Sequence, residues 1–319
     1  MKNKRFFANA TLVGALLFAF AHLANALMSF FYSRFYSLTT DGGLYYNWKF
    51  GSVFYTKTGS GPPLLLIHDL NPASSGHEWH KILPALSRTN TVYTLDLPGC
   101  GRSDKPAMVY TDFLYVQLIA DFIKDIVHDK ACLLSTGASC GFTLATSAYD
   151  SEAVNNIFLV NPKCTGQFKP QCNFPFTLRL MLYLPVVGTF VYRLFFCRPA
   201  INKVFVSDYF KNSSRIRDED VNAYTKSAHA GKGAGKFLHA SIISGLTGAN
   251  VVHALENFDN ELSVLVGEEC LEGAATAANY LRIRPSLTIF QIKDCKYLPH
   301  LESSDKVINK LTSLVNDLT

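Results

Sequence analysis

The residues best suited to chemistry form a serine between two glycines, the segment Gly137–Gly141 with Ser139 at its centre. A strand-like run, Cys132–Leu134, precedes the segment, and a helix-like run follows it to about Tyr149. This strand–G-x-S-x-G–helix order is typical of a nucleophile elbow, a tight turn that holds the serine in a strained conformation above the sheet edge. The glycines are needed because a Cβ beside the serine would collide with the neighbouring backbone. The pattern predicts Ser139 as a catalytic nucleophile.

Two further segments accompany this motif, PLLLIHDLNPASSGHEWHKILPAL at 63–86 and VYTLDLPGCGRSDKP at 92–106. Together with the elbow they resemble the α/β-hydrolase superfamily of esterases, lipases and haloperoxidase-like enzymes, and the resemblance extends over residues 45–317. It implies an α/β fold with a doubly wound, mostly parallel sheet and a serine hydrolase activity without cofactor.

The resemblance also implies an oxyanion hole made of two backbone N–H groups. One belongs to the residue after the nucleophile, Cys140, and the other lies near Leu70. The chain departs from the family beside the second donor, because Asp69 stands where the family usually has glycine. A carboxylate here opposes the binding of a developing anion unless its side chain points away.

The acid and the base of the triad are both substituted. By the same resemblance, the family's G-x-x-D pattern corresponds to Gly267–Cys270, which places Cys270 at the acid position. The pattern GH-x-PH-x-E corresponds to residues 296–302, which places Tyr297 at the histidine position. A tyrosine has an ordinary pKa of about 10, so that it keeps its proton at neutral pH and cannot replace histidine as the base.

Neighbouring residues offer substitutes for the missing pair. His300, three residues beyond Tyr297, could act as the base, although the same histidine also occurs in family members that keep the catalytic one. Glu269 or Glu268 could act as the acid, and Asp294 is a further candidate.

Two hypotheses about function remain open. In the first, the chain is a serine hydrolase of an ester or related acyl bond in a small apolar substrate, with Ser139, His300 and Glu269 in the catalytic roles. In the second, it is an inactive relative that binds a ligand or a partner. The intact elbow favours the first hypothesis, whereas the substitutions at Cys270 and Tyr297 favour the second.

The N-terminus predicts a membrane segment. Basic residues at positions 2, 4 and 5 precede an apolar stretch, Ala8–Tyr32, which is long enough to cross a bilayer as a helix. Residues 1–34 are therefore expected to be an uncleaved anchor, with the N-terminus in the cytoplasm and the main domain outside the cell membrane. A cleaved signal peptide is the alternative, since Ala24–Ala26 forms an A-x-A site and would yield a secreted protein.

The rest of the chain alternates between strand-like and helix-like segments, as a parallel, doubly wound sheet requires. Residues 45–164 and 256–319 are expected to form the core. Residues 165–255 break the alternation and predict a helical cap or lid, with two short amphipathic helices hinged at Pro185.

Composition excludes some other functions. The net charge is only +5 and no basic cluster is interleaved with aromatic residues, so no nucleic-acid partner is expected. The eight cysteines lack C-x-x-C spacing and predict free thiols in the core. No pair of histidines has the sequence context of a metal site, although His77 and His80 lie three residues apart, and no metal site is predicted.

Overall fold

The computed structural model describes residues 2–35, 42–163 and 176–316. Within these residues the chain builds one eight-stranded sheet in the order β1-β2-β4-β3-β5-β6-β7-β8. The strands are β1 (Leu44–Trp48), β2 (Gly51–Thr58), β3 (Pro63–Ile67), β4 (Thr91–Leu95), β5 (Ala131–Thr136), β6 (Val154–Val160), β7 (Leu262–Gly267) and β8 (Thr288–Ile292). β1 pairs antiparallel with β2, and β2 pairs antiparallel with β4. The other six strands, β3 to β8, are parallel to one another. The predicted α/β-hydrolase fold is confirmed.

The helices follow the strands along the chain. They are α1 (Lys2–Phe35), α2 (Leu83–Leu86), α3 (Asp112–Phe122), α4 (Ser139–Tyr149), α5 (Phe176–Tyr183), α6 (Val187–Phe195), α7 (Arg198–Val204), α8 (Asp218–His229), α9 (Gly235–Ile243), α10 (Val252–Asn257), α11 (Leu271–Ile283), α12 (Pro299–Glu302) and α13 (Ser304–Asn316). Short 3₁₀ turns lie at Gly76–Trp79, Ser213–Arg215 and Ala230–Gly233, and π turns at Ile123–Val127 and Phe205–Tyr209.

Helices cover both faces of the sheet, which explains why its central strands are continuously apolar. Alternate residues of β3 point to opposite faces. Leu65 joins the core cluster that contains Phe142 of α4, whereas Leu66 joins the cluster that contains Trp79 and Val307. The sheet is thereby fixed in place, and the loops at the carboxyl ends of its parallel strands meet at one edge.

The segment between β6 and β7 is helical. α5 and α6 meet at 109° across the residues around Pro185, where the sequence predicts a hinge. The helices α5 to α9 form a cap whose apolar cluster, including Phe205 and Tyr224, also takes in Tyr297 and Leu298 from the core. The expected start of the cap, 165–175, lies outside the described residues.

The N-terminal helix α1 contains a stretch, Asn9–Arg34, that is long and apolar enough to cross a membrane or to serve as a signal sequence. It is almost entirely exposed along this stretch, but its side chains also contact helices of the cap. Asn25 donates a side-chain hydrogen bond to the carbonyl of Val186 at 2.8 Å. The ring of Tyr32 stacks on His229 with 3.4 Å between centroids.

The described cysteines are free thiols, as the sequence predicts. They are Cys100, Cys132, Cys140, Cys197, Cys270 and Cys295. Cys164 and Cys172 lie outside the described residues.

Candidate active site

The turn between β5 and α4 differs from the predicted elbow in its register. Gly137 carries the positive φ, +61°, whereas Ser139 is the first residue of α4 and is helical. Ser139 is fully buried, and its Oγ donates a hydrogen bond to the carbonyl of His68 at 2.5 Å. The expectation of a strained Ser139 at the apex is therefore wrong. The chain reverses two residues earlier, at a glycine that adopts a positive φ without steric cost.

The sequence contains a signal for this earlier register. Ser135 and Ser139 flank Gly137 with the same spacing at which two glycines flank a serine nucleophile. Small residues at these positions satisfy the packing that the turn demands, and β5 ends at Thr136, directly before the apex. The overlapping G-x-S-x-G motif favours the later register, because its central residue carries a hydroxyl group. The central residue of the earlier frame, Ser135–Ser139, is a glycine.

A side chain at the apex would point at the residue in the histidine position. A Cβ built on Gly137 would collide with the Tyr297 hydroxyl oxygen and with the carboxylate of Asp69. The apex, Asp69 and Tyr297 therefore converge on one point above the edge of the sheet.

The Asp69 carboxylate occupies the centre of this convergence. Its Oδ1 accepts a hydrogen bond from the backbone N–H of Ala138 at 2.8 Å, and its Oδ2 accepts one from the Tyr297 hydroxyl at 2.8 Å. The side chain is buried, with the Lys163 ammonium 3.8 Å from Oδ2. Ala138 follows the apex, so its N–H is the donor that an elbow of this kind offers to an oxyanion. A carboxylate oxygen of the protein itself fills that place.

The two residues expected to form the oxyanion hole, Cys140 and Leu70, do not offer their N–H groups to this point. The N–H of Cys140 donates to the carbonyl of Gly137 at 3.3 Å, within the first turn of α4. Leu70 is buried in the core cluster beneath the sheet edge. The neighbouring N–H of Asp69 donates to Glu78 Oε2 at 3.1 Å.

Tyr297 is held in its protonated form. Its ring stacks on Tyr209 with 5.3 Å between centroids, and its N–H donates to the Tyr209 carbonyl at 3.0 Å. Burial, and next the charge of Asp69, raise the pKa of Tyr297 well above its ordinary value. The hydroxyl therefore donates a proton to Asp69 in a hydrogen bond and cannot remove one from a nucleophile.

His300 is buried beneath the site. Its ring stacks on Trp79 with 4.5 Å between centroids, and Nε2 lies 3.9 Å from Glu78 Oε2. Burial, followed by the nearby His80 and Lys81, lowers the pKa of His300 to about 3. Neither ring nitrogen has a hydrogen-bond partner among the described residues, so the contact with Ser139 that a general base requires is not formed.

The acidic candidates lie in surface ion pairs. Glu269 is exposed and lies 2.8 Å from Lys211, which also contacts Glu268 at 3.5 Å. Asp294 pairs with Arg215 at 2.8 Å. Only Cys270, of the residues around the expected acid, is buried towards Tyr297, and burial raises the pKa of its thiol.

A cavity of about 420 Å³ opens beside Tyr297, between the cap and the core. Tyr209 and Val204 line its cap side, whereas Tyr297, Cys270 and Lys163 line its core side. Its size lies within the range typical of small-molecule sites, and it mixes apolar surface with a few charged groups.

A second buried carboxyl supports Asp69. Glu78 is fully buried, and its Oε1 accepts a hydrogen bond from the Tyr224 hydroxyl at 2.7 Å. Burial, followed by the charge of Asp69, raises the pKa of Glu78 to about 7. Two carboxylates so close cannot both ionise cheaply, and Glu78 holds the proton over the acidic range.

This raised pKa predicts a loss of stability as the pH rises. The protonated form of Glu78 is favoured in the folded state, so its contribution is complete below the unfolded pKa and disappears as the pH rises through about 7. We expect the free energy of unfolding to fall by on the order of 1 to 3 kcal/mol across this interval, and Glu78→Gln to flatten the fall. Urea unfolding at a series of pH values measures this slope.

The exposed Glu256→Gln is the matched control and should keep the wild-type slope. An unchanged slope in Glu78→Gln would remove Glu78 as its cause.

Parts of the chain resemble known proteins. A family model described as "alpha/beta hydrolase fold" matches residues 62–183. The chain is 29% identical over 137 residues to the 2-hydroxy-6-oxo-6-(2'-aminophenyl)hexa-2,4-dienoic acid hydrolase of Metapseudomonas resinovorans, covering 41% of this chain and 47% of that enzyme. It is 30% identical over 133 residues to the soluble epoxide hydrolase of Corynebacterium sp. (strain C12), covering 41% and 44%. These matches span less than half of each relative.

Solved structures resemble a larger part of the chain. The epoxide hydrolase CorEH superposes with a TM-score of 0.72 at 18% identity, over 87% of this chain and 99% of that one. The serine hydrolase CarC, involved in carbazole degradation, superposes with a TM-score of 0.69 at 19% identity, over 86% and 98%. At these identities the likeness concerns the fold alone. With the sheet order and the strand–turn–helix at Gly137, these matches show that the chain has the α/β-hydrolase fold.

Proposed function

We propose that this chain is a membrane-tethered relative of the α/β-hydrolases that has no serine-hydrolase chemistry and binds a small ligand beside its closed catalytic centre. One observation carries the proposal. The Asp69 carboxylate accepts hydrogen bonds from the N–H of Ala138 and from the hydroxyl of Tyr297. It thus occupies the space in which the reacting carbonyl group of a substrate would have to lie.

Of the residues that the structure describes, those around Asp69 supply neither a nucleophile nor a base. Gly137 at the apex has no side chain, Tyr297 keeps its proton, and Cys270 stands at the acid position. An acyl-transfer reaction needs a nucleophile, a base to activate it and a vacant oxyanion hole. All three are missing from the same point of the fold.

A hydrolase that uses Ser139 has less support. The Ser139 Oγ is buried and donates to the carbonyl of His68, and the ring of His300 lies against Trp79 and Glu78. Glu269 pairs with Lys211 at the surface. Activity through these residues would require three separate rearrangements of buried or ion-paired groups.

The cavity beside Tyr297 supports a binding role. It remains open at about 420 Å³ although the catalytic point next to it is closed. By their names, the two relatives act on small organic molecules, a substituted hexadienoic acid and epoxides. A small, partly apolar ligand of similar size fits a cavity lined by the stacked rings of Tyr209 and Tyr297 and by the Lys163 side chain.

The membrane tether rests on α1. Its apolar surface is exposed along Asn9–Arg34, and a helix of this length and composition is stable in a bilayer. Its contacts with Val186 and His229 would hold the cap close to the membrane surface. We propose that the globular part lies on the non-cytoplasmic side, since the basic residues at positions 2, 4 and 5 precede the apolar stretch of α1.

Reaction with a fluorophosphonate probe tests the loss of chemistry. We expect the folded wild-type chain to remain unlabelled, because no activated hydroxyl faces the site. Labelling is read by gel fluorescence and by intact mass, with an active serine hydrolase in the same tube as a positive control. Labelling of the wild type that disappears in Ser139→Ala, but persists in Ser147→Ala on the same helix, would contradict the proposal.

Substitutions at the cavity wall test ligand binding. Val204 lines the cavity, whereas Val206, two residues further along, does not. The probes are small carboxylic acids, esters and aromatic alcohols, screened by thermal shift. We expect some of them to stabilise the wild type and Val206→Trp. The same compounds should not stabilise Val204→Trp, because its indole fills the cavity. Ligands that stabilise all three proteins equally, or a screen without any, would contradict a binding role for this cavity.

A further inference from the structure

A group of three ligand-type side chains lies where the cap meets the core, apart from the site described above. His77 and His80 project from the 3₁₀ turn Gly76–Trp79 and the residue after it, and Asp220 projects from the first turn of α8. Their nearest ligand atoms all lie within 4.8 Å of one another. His77 Nε2 is 3.1 Å and His80 Nε2 is 3.7 Å from the same oxygen, Asp220 Oδ1.

The orientation of His80 directs a lone pair at the carboxylate. Its Nδ1 lies 2.9 Å from the carbonyl of His77, a contact in which Nδ1 must be the donor. In the neutral ring Nε2 is then the acceptor, and it is buried without a hydrogen-bond partner among the described residues. The lone pair facing the oxygen of Asp220 is repelled by it unless a cation, either a metal ion or a proton on Nε2, or a water molecule lies between the two atoms.

The charges around the group leave room for that cation. Asp220 is fully buried, and its second oxygen, Oδ2, lies 3.4 Å from the ammonium of Lys81, which also donates to the carbonyl of Leu301 at 2.8 Å. Lys81 thus holds one oxygen of the carboxylate and leaves Oδ1 to the two imidazoles. Glu219 Oε1, half-exposed, lies 4.0 Å from His80 Nε2 and offers a further oxygen.

We propose that His77 Nε2, His80 Nε2 and Asp220 Oδ1 bind one divalent transition metal ion, with Glu219 or water completing its coordination. Two imidazoles and a carboxylate suit zinc best among such ions. Ligand atoms around tetrahedral zinc are separated by roughly 3.4 Å, given metal–ligand bonds of about 2.0–2.1 Å. The two nitrogen–oxygen separations, 3.1 and 3.7 Å, lie close to this value already. The two imidazole rings are stacked with 4.2 Å between centroids, so they must turn towards each other for both Nε2 lone pairs to meet at one ion.

The fold explains why the sequence does not predict this site. His77 and His80 alone supply two ligands, whereas the third comes from a helix of the cap that lies far away in sequence. Metal binding would require His77 to move the proton that Nε2 donates to Asp220 onto its other nitrogen. The bound ion would then link the cap to the core, because His77 and His80 belong to the core and Asp220 belongs to the cap.

Titration with Co²⁺ tests the proposal, because cobalt occupies zinc sites and absorbs visible light when its coordination number is low. The probe is added to the full chain in detergent after treatment with EDTA. We expect one equivalent to bind, with visible absorption bands and a rise in melting temperature. Zn²⁺ should displace the cobalt and remove the bands.

Substitutions locate the ion. His80→Gln and Asp220→Asn should each abolish the bands and the metal-dependent rise in melting temperature, while His253→Gln, an exposed histidine elsewhere, should retain both. Circular dichroism without metal checks that each variant is folded. Asp220→Asn preserves the shape of the side chain, so it can locate the ion even if His80→Gln does not fold.

Two results would overturn the proposal. One is the absence of stoichiometric cobalt binding to the folded wild-type chain. The other is binding that survives in His80→Gln and Asp220→Asn, or that shows the intense near-ultraviolet band of thiolate ligation, since either would assign the ion to another site such as the free cysteines.

Discussion

The candidate site depends on one interaction, the pair of hydrogen bonds that the Asp69 carboxylate accepts from the N–H of Ala138 and from the hydroxyl of Tyr297. A buried carboxylate costs several kcal/mol unless hydrogen bonds and charges compensate it. Here the backbone donor of the turn, a tyrosine and the ammonium of Lys163 compensate it together. The N–H of Ala138, which would stabilise an oxyanion in an enzyme, therefore stabilises a side chain of the protein. An incoming substrate would have to displace that side chain.

The surrounding residues adapt to this fixed negative charge. Tyr297 can stand in the place of a histidine because a protonated hydroxyl is the partner that Asp69 needs. Gly137 must lack a side chain because any Cβ would overlap both groups. Glu78, whose Oε2 accepts the N–H of Asp69, takes up a proton more readily than an ordinary carboxyl group. Each of these substitutions is understandable only in the presence of the others, whereas the adjoining cavity stays open.

Much of the fold follows from the sequence, because apolar strands alternating with amphipathic helices permit few other arrangements. The assignment of Cys270 and Tyr297 to the acid and histidine positions stays a prediction from the family patterns; the structure buries both residues and places the Tyr297 hydroxyl beside the apex. The register of the turn was not, because two overlapping frames of small residues fit it and only the backbone distinguishes Gly137 from Ser139. The position of Asp220 beside His77 was equally inaccessible, since the packing of the cap on the core brings them together.

The most direct measurement places a reactive serine at the apex and asks which residue reacts. In a variant carrying Gly137→Ser, Asp69→Gly, Tyr297→His and Cys270→Asp, the collisions at the apex are removed and a full triad is restored. Fluorophosphonate labelling followed by peptide mass spectrometry should locate the adduct on the serine introduced at position 137. An adduct on Ser139, in this variant or in the wild type, would contradict the account.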